Sequence, residues 1–331
     1  MTARPALTVL TPVYNGAAWI RETVDSVLAQ QGVEIEYIVL DDGSTDDIAE
    51  ALAPYAGQLR FERHANMGEA ATVNRGVALA SHPLLAVVNA DDPVLPGWAA
   101  AMVDAMDADP SLAAAYPDWC KTNAQGATLE VMRTAEFSMA VAFGQHFCIP
   151  GPGAVIRPAL LGGEPMRDAA RRTSSDFDLW LRLGLRGGIR RVPQVLVTWR
   201  QHPGGQSSAA RGRAMAEDKL GTARAFLARP NLPPELRALA GQGLSAAYVN
   251  AAMLGLRAPG IPVLRYLLAS YWHCPRWAPG VLRQQRRSLP HLLYAAAQPL
   301  AGWLHKLASP LLPRRFGHAA MQAQRFGQAD A

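Results

Sequence analysis

Cysteine is scarce: Cys120, Cys148 and Cys274 are odd in number, widely spaced and without a Cys-x-x-Cys pair. That argues against a disulfide scaffold and against a zinc cluster, and it fits a reducing cytoplasm. No uninterrupted apolar run reaches the ~18 residues expected of a membrane-spanning helix. The first residues, Met1-Thr2-Ala3-Arg4-Pro5, lead straight into a strand pattern and lack the apolar core of a secretory signal, so none is expected. There is no internal repeat. Charged residues are only 18% of the 331, against 50% hydrophobic, a globular rather than a disordered balance with enough chain for a full α/β core and a second region.

Acidic residues are also missing from one whole stretch, between Arg237 and Gln328. The net charge of +5 conceals this asymmetry: residues 1–210 hold 16 Lys+Arg against 23 Asp+Glu, whereas residues 211–331 hold 16 against 4. Two regions with different partners are expected, 1–210 and 211–331.

What is present in the first region is alternation. Leu7–Thr11, Glu34–Leu40, Leu59–His64 and Leu84–Asn89 read as strands, and residues 17–31, 45–55, 68–80 and 96–106 as helices between and after them. Such alternation builds βαβ units and a mostly parallel sheet. Ser44 or Thr45 is placed to cap the second helix, with Asp46 and Asp47 in its first turn. Further strands are expected at Leu112–Tyr116, Leu129–Thr134, Ala154–Arg157 and Ile189–Trp199, the last on an edge because of Pro193, and a helix at Ser175–Leu185. The Pro150–Gly153 loop lacks bulk and is expected to border the ligand cleft. Residues 204–212 read as a small-residue linker, and beyond them the pattern is helical and broken by prolines.

Two of the strands break off at paired aspartates, Asp41-Asp42 and Asp91-Asp92. Ligands of open α/β sheets bind outside the carboxyl ends of the strands, and acidic groups gathered there repel unless a cation or several donors lie between them. The pattern points to an enzyme with a metal ion and a polar ligand.

The motifs run in order: Thr11-Pro12-Val13-Tyr14-Asn15-Gly16, Asp41-Asp42-Gly43-Ser44-Thr45-Asp46, Asn66-x-Gly68 with Asn74-x-Gly76, Asn89-Ala90-Asp91-Asp92, Asp176-Phe177-Asp178-Leu179-Trp180-Leu181-Arg182, and Arg200-Gln201-His202. In this order, over residues 6–205, the chain resembles the inverting GT-A glycosyltransferases of family 2, which use nucleotide-sugar donors. The resemblance implies a GT-A α/β fold, a mixed, mostly parallel sheet flanked by helices, followed here by a C-terminal α-helical region. It implies that Pro12, Tyr14, Asp41, Asp42, Asn74, Asp91 and Arg200 contact the nucleotide sugar, that Asp92 and His202 hold Mg2+ or Mn2+, and that Asp176 is the general base. Asn89 stands where the family's metal motif has its first aspartate, which leaves the ligand assignment open.

The residue chemistry suits these roles. A tyrosine ring offers a face to a base, a carboxylate accepts from an N–H or a hydroxyl, and hard oxygens suit Mg2+ or Mn2+. Inverting transfer needs a base to take the acceptor's proton. Asp178, about 200° around the helix from Asp176, cannot share its ligand. Arg182 and Arg157 are kept as minor acceptor or phosphate contacts. Structural alternatives remain: Tyr14 closing the core edge, Asp41 and Asp42 as a turn and cap, Asp91-Asp92 as a solvated turn, Asp176 as a helix-end charge, His202 as packing, Gly68, Asn74 and Gly76 as helix entry.

Residues 211–331 lie outside the resemblance. Aromatics and leucines such as Tyr266, Tyr271, Trp272, Trp277 and Trp303 alternate with Arg265, Arg276, Arg283, Lys306 and Arg314. They suit either an anionic membrane surface or a helical subdomain packed on the first region, and no nucleic-acid motif accompanies the charge. The expected function is transfer of a sugar to a hydroxyl of a glycan or lipid-linked acceptor, in cell-surface polysaccharide assembly, in the cytoplasm or peripherally on the inner face of the cell membrane. The alternatives are a non-catalytic nucleotide-sugar-binding module and a sugar nucleotidylyltransferase. The latter needs a Gly-rich phosphate loop ending in Arg or Lys, which Thr11–Gly16 does not provide.

Overall fold

The computed structural model of the chain describes residues 5–171, 173–202, 212–255 and 260–276. Its strands are β1 (Ala6–Val13), β2 (Glu34–Asp41), β3 (Arg60–Arg63), β4 (Leu85–Val87), β5 (Leu112–Thr122), β6 (Thr128–Met132), β7 (Val155–Ile156) and β8 (Gly188–Arg200). The first four pair in parallel, in the order β3-β2-β1-β4. The sheet then turns mixed: β7 runs antiparallel between β4 and β5, β6 pairs antiparallel with the far half of β5, and β8 pairs β5 in parallel. At Pro193 the register jumps from Pro117↔Val192 to Asp118↔Val195, so the proline bulges out where it has no ladder donor to give.

The helices of this domain are α1 (Ile20–Leu28), α2 (Ile48–Leu52), α3 (Glu69–Leu79), α4 (Trp98–Asp107), α5 (Met139–Gly144) and α6 (Ser175–Gly184). Alternate strand residues face opposite ways, so Leu7, Val9, Tyr37 and Val39 join α1, α2 and α4 in one core, while Leu10, Ile38, Leu40 and Leu85 join α3, α5 and α6 in the other. A Cβ on Gly76 of α3 would lie 2.8 Å from both Leu10 Cδ1 and Leu40 Cδ1, so a glycine is what lets that helix sit so close to the sheet.

Several local expectations change. Helix α2 starts at Ile48, and neither Ser44 nor Thr45 caps it: the Ser44 hydroxyl accepts the Asn15 N–H. Asp46 reaches across to accept the Ala17 N–H, a donor at the entrance to α1. Strand β5 continues through Pro117 and Asp118 to Thr122, because the buried Asp118 carboxylate is met by Arg191 (2.7 Å) and by the Thr134 N–H and hydroxyl. Helix α5, capped by Ser138, follows an irregular stretch where no helix is expected. The Pro150–Gly153 loop is packed: Trp98 Nε1 donates to the Gly153 carbonyl at 2.8 Å, and Trp119 presses on Gly151.

Beyond β8 come α7 (Gly212–Leu227), α8 (Pro234–Ala238), α9 (Ala240–Leu254) and α10 (Val263–His273). Phe226, Leu232 and Leu236 join the α5–α6 core, with the Phe226 and Phe143 rings 4.9 Å apart. The proposed boundary at 210, the 204–211 part of the linker, and the basic and aromatic residues from Trp277 onward lie outside the described residues. No helix among the described residues is long and apolar enough to cross a membrane.

Candidate active site

β2 and β4 flank β1, and the chain leaves β1 toward β2 but later returns through α3 to β4 on the other side. That reversal opens a crevice at the carboxyl ends of β1 and β4. Register pairs Val13 with Asp41, so the residues that follow, Tyr14 and Asp42, emerge beside each other. Tyr14 is 54% exposed, a ring standing free at the rim, with Pro12 two residues behind it opposite Leu40. Asn15 has φ 54° and ties the two loops, accepting the Thr45 N–H at 2.8 Å.

The first aspartate pair is buried and occupied. Asp41 accepts the Ser44 N–H at 2.8 Å and lies 3.2 Å from Arg63 Nε. Asp42 accepts the Met67 N–H at 2.6 Å and the Gly68 N–H at 2.9 Å, one on each oxygen, so its charge sits at the mouth of α3. Between them Gly43 has φ +74°, and a Cβ there would lie 2.7 Å from the Asn66 nitrogen, so glycine is required for the turn to close on that loop. Both carboxylates therefore organise the loops under the crevice.

The second pair divides its labour. Asp92 is 2% exposed; Oδ1 accepts the Arg200 N–H at 2.8 Å and Oδ2 accepts Asn89 Nδ2 at 2.9 Å. Burial, followed by the neighbouring Asp91 charge, pushes its carboxyl up to about 7, although the Asn89 and Arg200 donors pull the other way. The Asn89 amide is thus a donor aimed at Asp92, where an aspartate would bring a like charge. Asp91 is only half-buried, and its Oδ2 lies 2.9 Å from His202 Nε2. Asp92 was the expected direct metal ligand; the carboxylate paired with the imidazole is Asp91.

Arg200 holds this arrangement. Its Nε donates to the Asp91 carbonyl at 3.1 Å and Nη1 to the Ala124 carbonyl at 2.9 Å, while Nη2 pairs with Glu22. It also lies 5.0 Å from the centroid of the Trp19 ring, which in turn packs 5.0 Å from the His202 ring. Expected as a diphosphate contact, Arg200 has its guanidinium engaged by the protein, and it fixes Asp91, Asp92 and the strand end that carries His202. The Asp91 carboxylate oxygen suits Mg2+ or Mn2+, and the imidazole nitrogen beside it favours Mn2+ of the two. Among the described residues no third His, Cys, Asp or Glu joins them in a ligating cluster.

Asp176 and Asp178 face opposite ways, as helical spacing requires. Asp176 is exposed in the first turn of α6, with Oδ1 accepting the Phe177 N–H at 2.7 Å. Asp178 is buried and paired with Arg182 Nε at 2.7 Å. Arg182 and Arg157 donate to backbone carbonyls, those of Pro165 and Met166 and those of Leu112 and Met106, so neither is free for a ligand. No hydrogen bond or ion pair joins Asp176 to Asp91 or His202 among the described residues. Asn74 uses both amide atoms on one residue, donating to the Arg167 carbonyl and accepting its N–H, each at 2.8 Å. Arg167, Trp19 and Glu22 lie outside the motifs, and Asp46, inside one, was expected only as a charge in the first turn of its own helix.

Residues 8–160 match the model of the family described as Glycosyl transferase family 2. An uncharacterized glycosyltransferase YibD of Escherichia coli (strain K12) is 33% identical over 124 residues, 36% of this chain and 36% of that protein. An uncharacterized protein MT1568 of Mycobacterium tuberculosis is 29% identical over 217 residues, 59% of this chain and 66% of that protein. The chain thus spans from about a third to about two thirds of these curated relatives. Among solved structures, S. aureus TarS 1-349 in complex with UDP-GlcNAc superposes with a TM-score of 0.64 at 17% identity, over 88% of this chain and 87% of that one. The mannosyltransferase PcManGT from Pyrobaculum calidifontis, in complex with GDP-Man and Mn2+, gives 0.58 at 18% identity, over 89% and 87%. At such identities the likeness establishes the fold, which is GT-A.

Proposed function

Because residues 8–160 belong to Glycosyl transferase family 2, we propose that this chain is a metal-dependent inverting glycosyltransferase. It moves a sugar from a nucleoside diphosphate sugar to a hydroxyl of a glycan or lipid-linked acceptor. The observation that carries the reading is the Asp91–His202 pair, fixed by Arg200 at the carboxyl ends of β1 and β4, where an open α/β sheet receives its ligand. The nucleotide sugars held by TarS and PcManGT, and the Mn2+ of the latter, support the donor class.

In this reading Tyr14 stacks on the base, and Asp41 and Asp42 hold the loops that shape the nucleoside site. Asp91 and His202 are the residues that would hold Mn2+ or Mg2+. When bound there, a divalent ion neutralises charge that builds on the departing diphosphate. Asp176, exposed and with one oxygen outside the Phe177 contact, takes the proton from the attacking acceptor hydroxyl. The hydroxyl oxygen bonds to the anomeric carbon from the face opposite the leaving diphosphate, so the configuration inverts. The non-catalytic alternative lacks support from Asn89, since its amide donates to Asp92 and leaves Asp91 and His202 paired.

Helix α10 exposes Leu264, Leu268, Tyr271 and Trp272 on one face, with Arg265 and Arg276 close by. An apolar strip with basic neighbours suits an anionic membrane surface, where lipid-linked acceptors reside, and a setting in cell-surface polysaccharide assembly on the cytoplasmic face follows. Release of nucleoside diphosphate from a panel of donors, with and without Mn2+, tests the activity. Flotation with anionic and neutral liposomes tests the docking: salt-sensitive flotation with anionic lipid alone is expected, and none would overturn it.

A further inference from the structure

The segment Pro165–Arg167 is clamped from two sides. Asn74 on α3 grips the N–H and carbonyl of Arg167, each at 2.8 Å. Arg182 on α6, itself anchored by Asp178, donates to the Pro165 carbonyl at 2.8 Å and the Met166 carbonyl at 2.9 Å. So much fixed bonding holds the backbone of Arg167, yet its side chain is left unanswered. Arg167 is 9% exposed, and its buried Nε and Nη1 make no hydrogen bond. No carboxylate lies within ion-pair distance of it among the described residues. The other buried guanidiniums behave differently: Arg182 and Arg200 each have carbonyl and carboxylate acceptors.

Burying a guanidinium without an acceptor is strongly unfavourable, and one fork can take two oxygens of a single anion. No carboxylate pairs with it among the described residues, while Lys219 adds a second cation nearby. The charges of Asp176, Lys219 and Arg167 all act on the Cys148 thiol, which puts the three in one neighbourhood. Lys219 makes no hydrogen bond or ion pair among the described residues. We propose that Arg167, with Lys219 beside it, is a fixed receptor for an oxyanion, a phosphate or carboxylate carried by the substrate that Asp176 serves. Asn74, in the donor-side motif, is then a positioning residue that acts through Arg167. The identity of the anion's carrier rests on the transferase reading; the receptor itself does not.

The test uses the full chain and inorganic phosphate as probe, at constant ionic strength set with chloride. Phosphate should raise the melting temperature of the wild type, and its affinity should fall at least tenfold in Arg167→Met and only partly in Arg167→Lys. Without phosphate, Arg167→Met should melt at or above the wild-type temperature, since it removes a buried charge that has no partner. Equal phosphate affinity in wild type and Arg167→Met overturns the proposal. So does a lower melting temperature of unliganded Arg167→Met, or its failure to fold while Arg167→Lys folds, because both are the signature of a merely structural arginine. UDP and GDP titrations with Mn2+ then separate the carriers. Unchanged nucleotide affinity in Arg167→Met assigns the anion to the acceptor, and a parallel tenfold loss assigns it to the donor diphosphate; either supports the receptor. Arg167-dependent phosphate binding without any nucleotide binding supports the receptor and removes the transferase reading.

Discussion

Nε2 of His202 lies 2.9 Å from Oδ2 of Asp91, joining the end of β8 to the turn after β4 across 111 residues. The contact is not incidental to packing. Arg200 ties the Asp91 carbonyl and the Asp92 carboxylate to the same strand end, and Trp19 backs both Arg200 and His202. Adjacent aspartates of one motif thereby take unlike parts, Asp92 as an internal strut and Asp91 as the carboxylate presented with the imidazole.

Asp42 is expected to matter first for stability. Its two oxygens accept the Met67 and Gly68 N–H groups at the start of α3, and hydrogen bonds to a charged group contribute about 1.5–3 kcal/mol each. Asp42→Ala should lose about 3 kcal/mol or more in urea unfolding. A variant as stable as the wild type would show that the carboxylate does not hold that loop.

Asp176 should separate binding from turnover. Asp176→Asn keeps the acceptor for the Phe177 N–H but cannot take a proton, so nucleoside diphosphate affinity should stay within about twofold while transfer falls by 10² or more. Unchanged transfer would remove Asp176 as the base.

His146 should make the fold acid-sensitive. Neither ring nitrogen has a hydrogen-bond partner, the ring packs 4.6 Å from Phe177, and burial, with the Lys219 charge, pulls its pKa down from 6.5 to about 3. The unfolded chain therefore binds a proton that the folded chain refuses between these values. The stability is complete above about pH 6.5 and declines as pH falls toward 3, by up to about 1.4 kcal/mol per unit. His146→Asn, which tolerates the backbone φ of 48°, should flatten the slope of unfolding free energy between pH 6.5 and 4. An identical slope in the two proteins would contradict this.

The parallel half of the sheet is legible because its strands are unbroken apolar runs that end at turn residues, as Ile38-Val39-Leu40 does before Asp41. The mixed half is less so. Pro117 and Asp118 read as a stop, yet β5 continues because Arg191, 73 residues away, neutralises Asp118. Asp46 looks like a charge in its own helix and serves α1 instead. The same limit applies at the site. Motif spacing brings forward Asp91, His202 and Asp176, but which of two adjacent aspartates faces outward depends on donors from Arg200 and Asn89, fixed only once β8 lies beside β5. Arg167 has no local signal at all, since its character comes from what fails to surround it.

The central claim is that Asp91 and His202 hold a divalent ion on a nucleoside diphosphate. Isothermal titration with UDP and GDP, in Mn2+ and in EDTA, of wild type, Asp91→Asn, His202→Ala and Arg190→Gln measures it most directly. Arg190 serves as the control because it pairs with Asp109 near the start of β8, at the opposite end of the strand from the pair. One nucleotide should bind only with Mn2+, with affinity reduced at least tenfold in Asp91→Asn and in His202→Ala and within about twofold in Arg190→Gln, tenfold being about 1.4 kcal/mol. Nucleotide binding that is equal in EDTA, or that survives Asp91→Asn unchanged, would contradict the account.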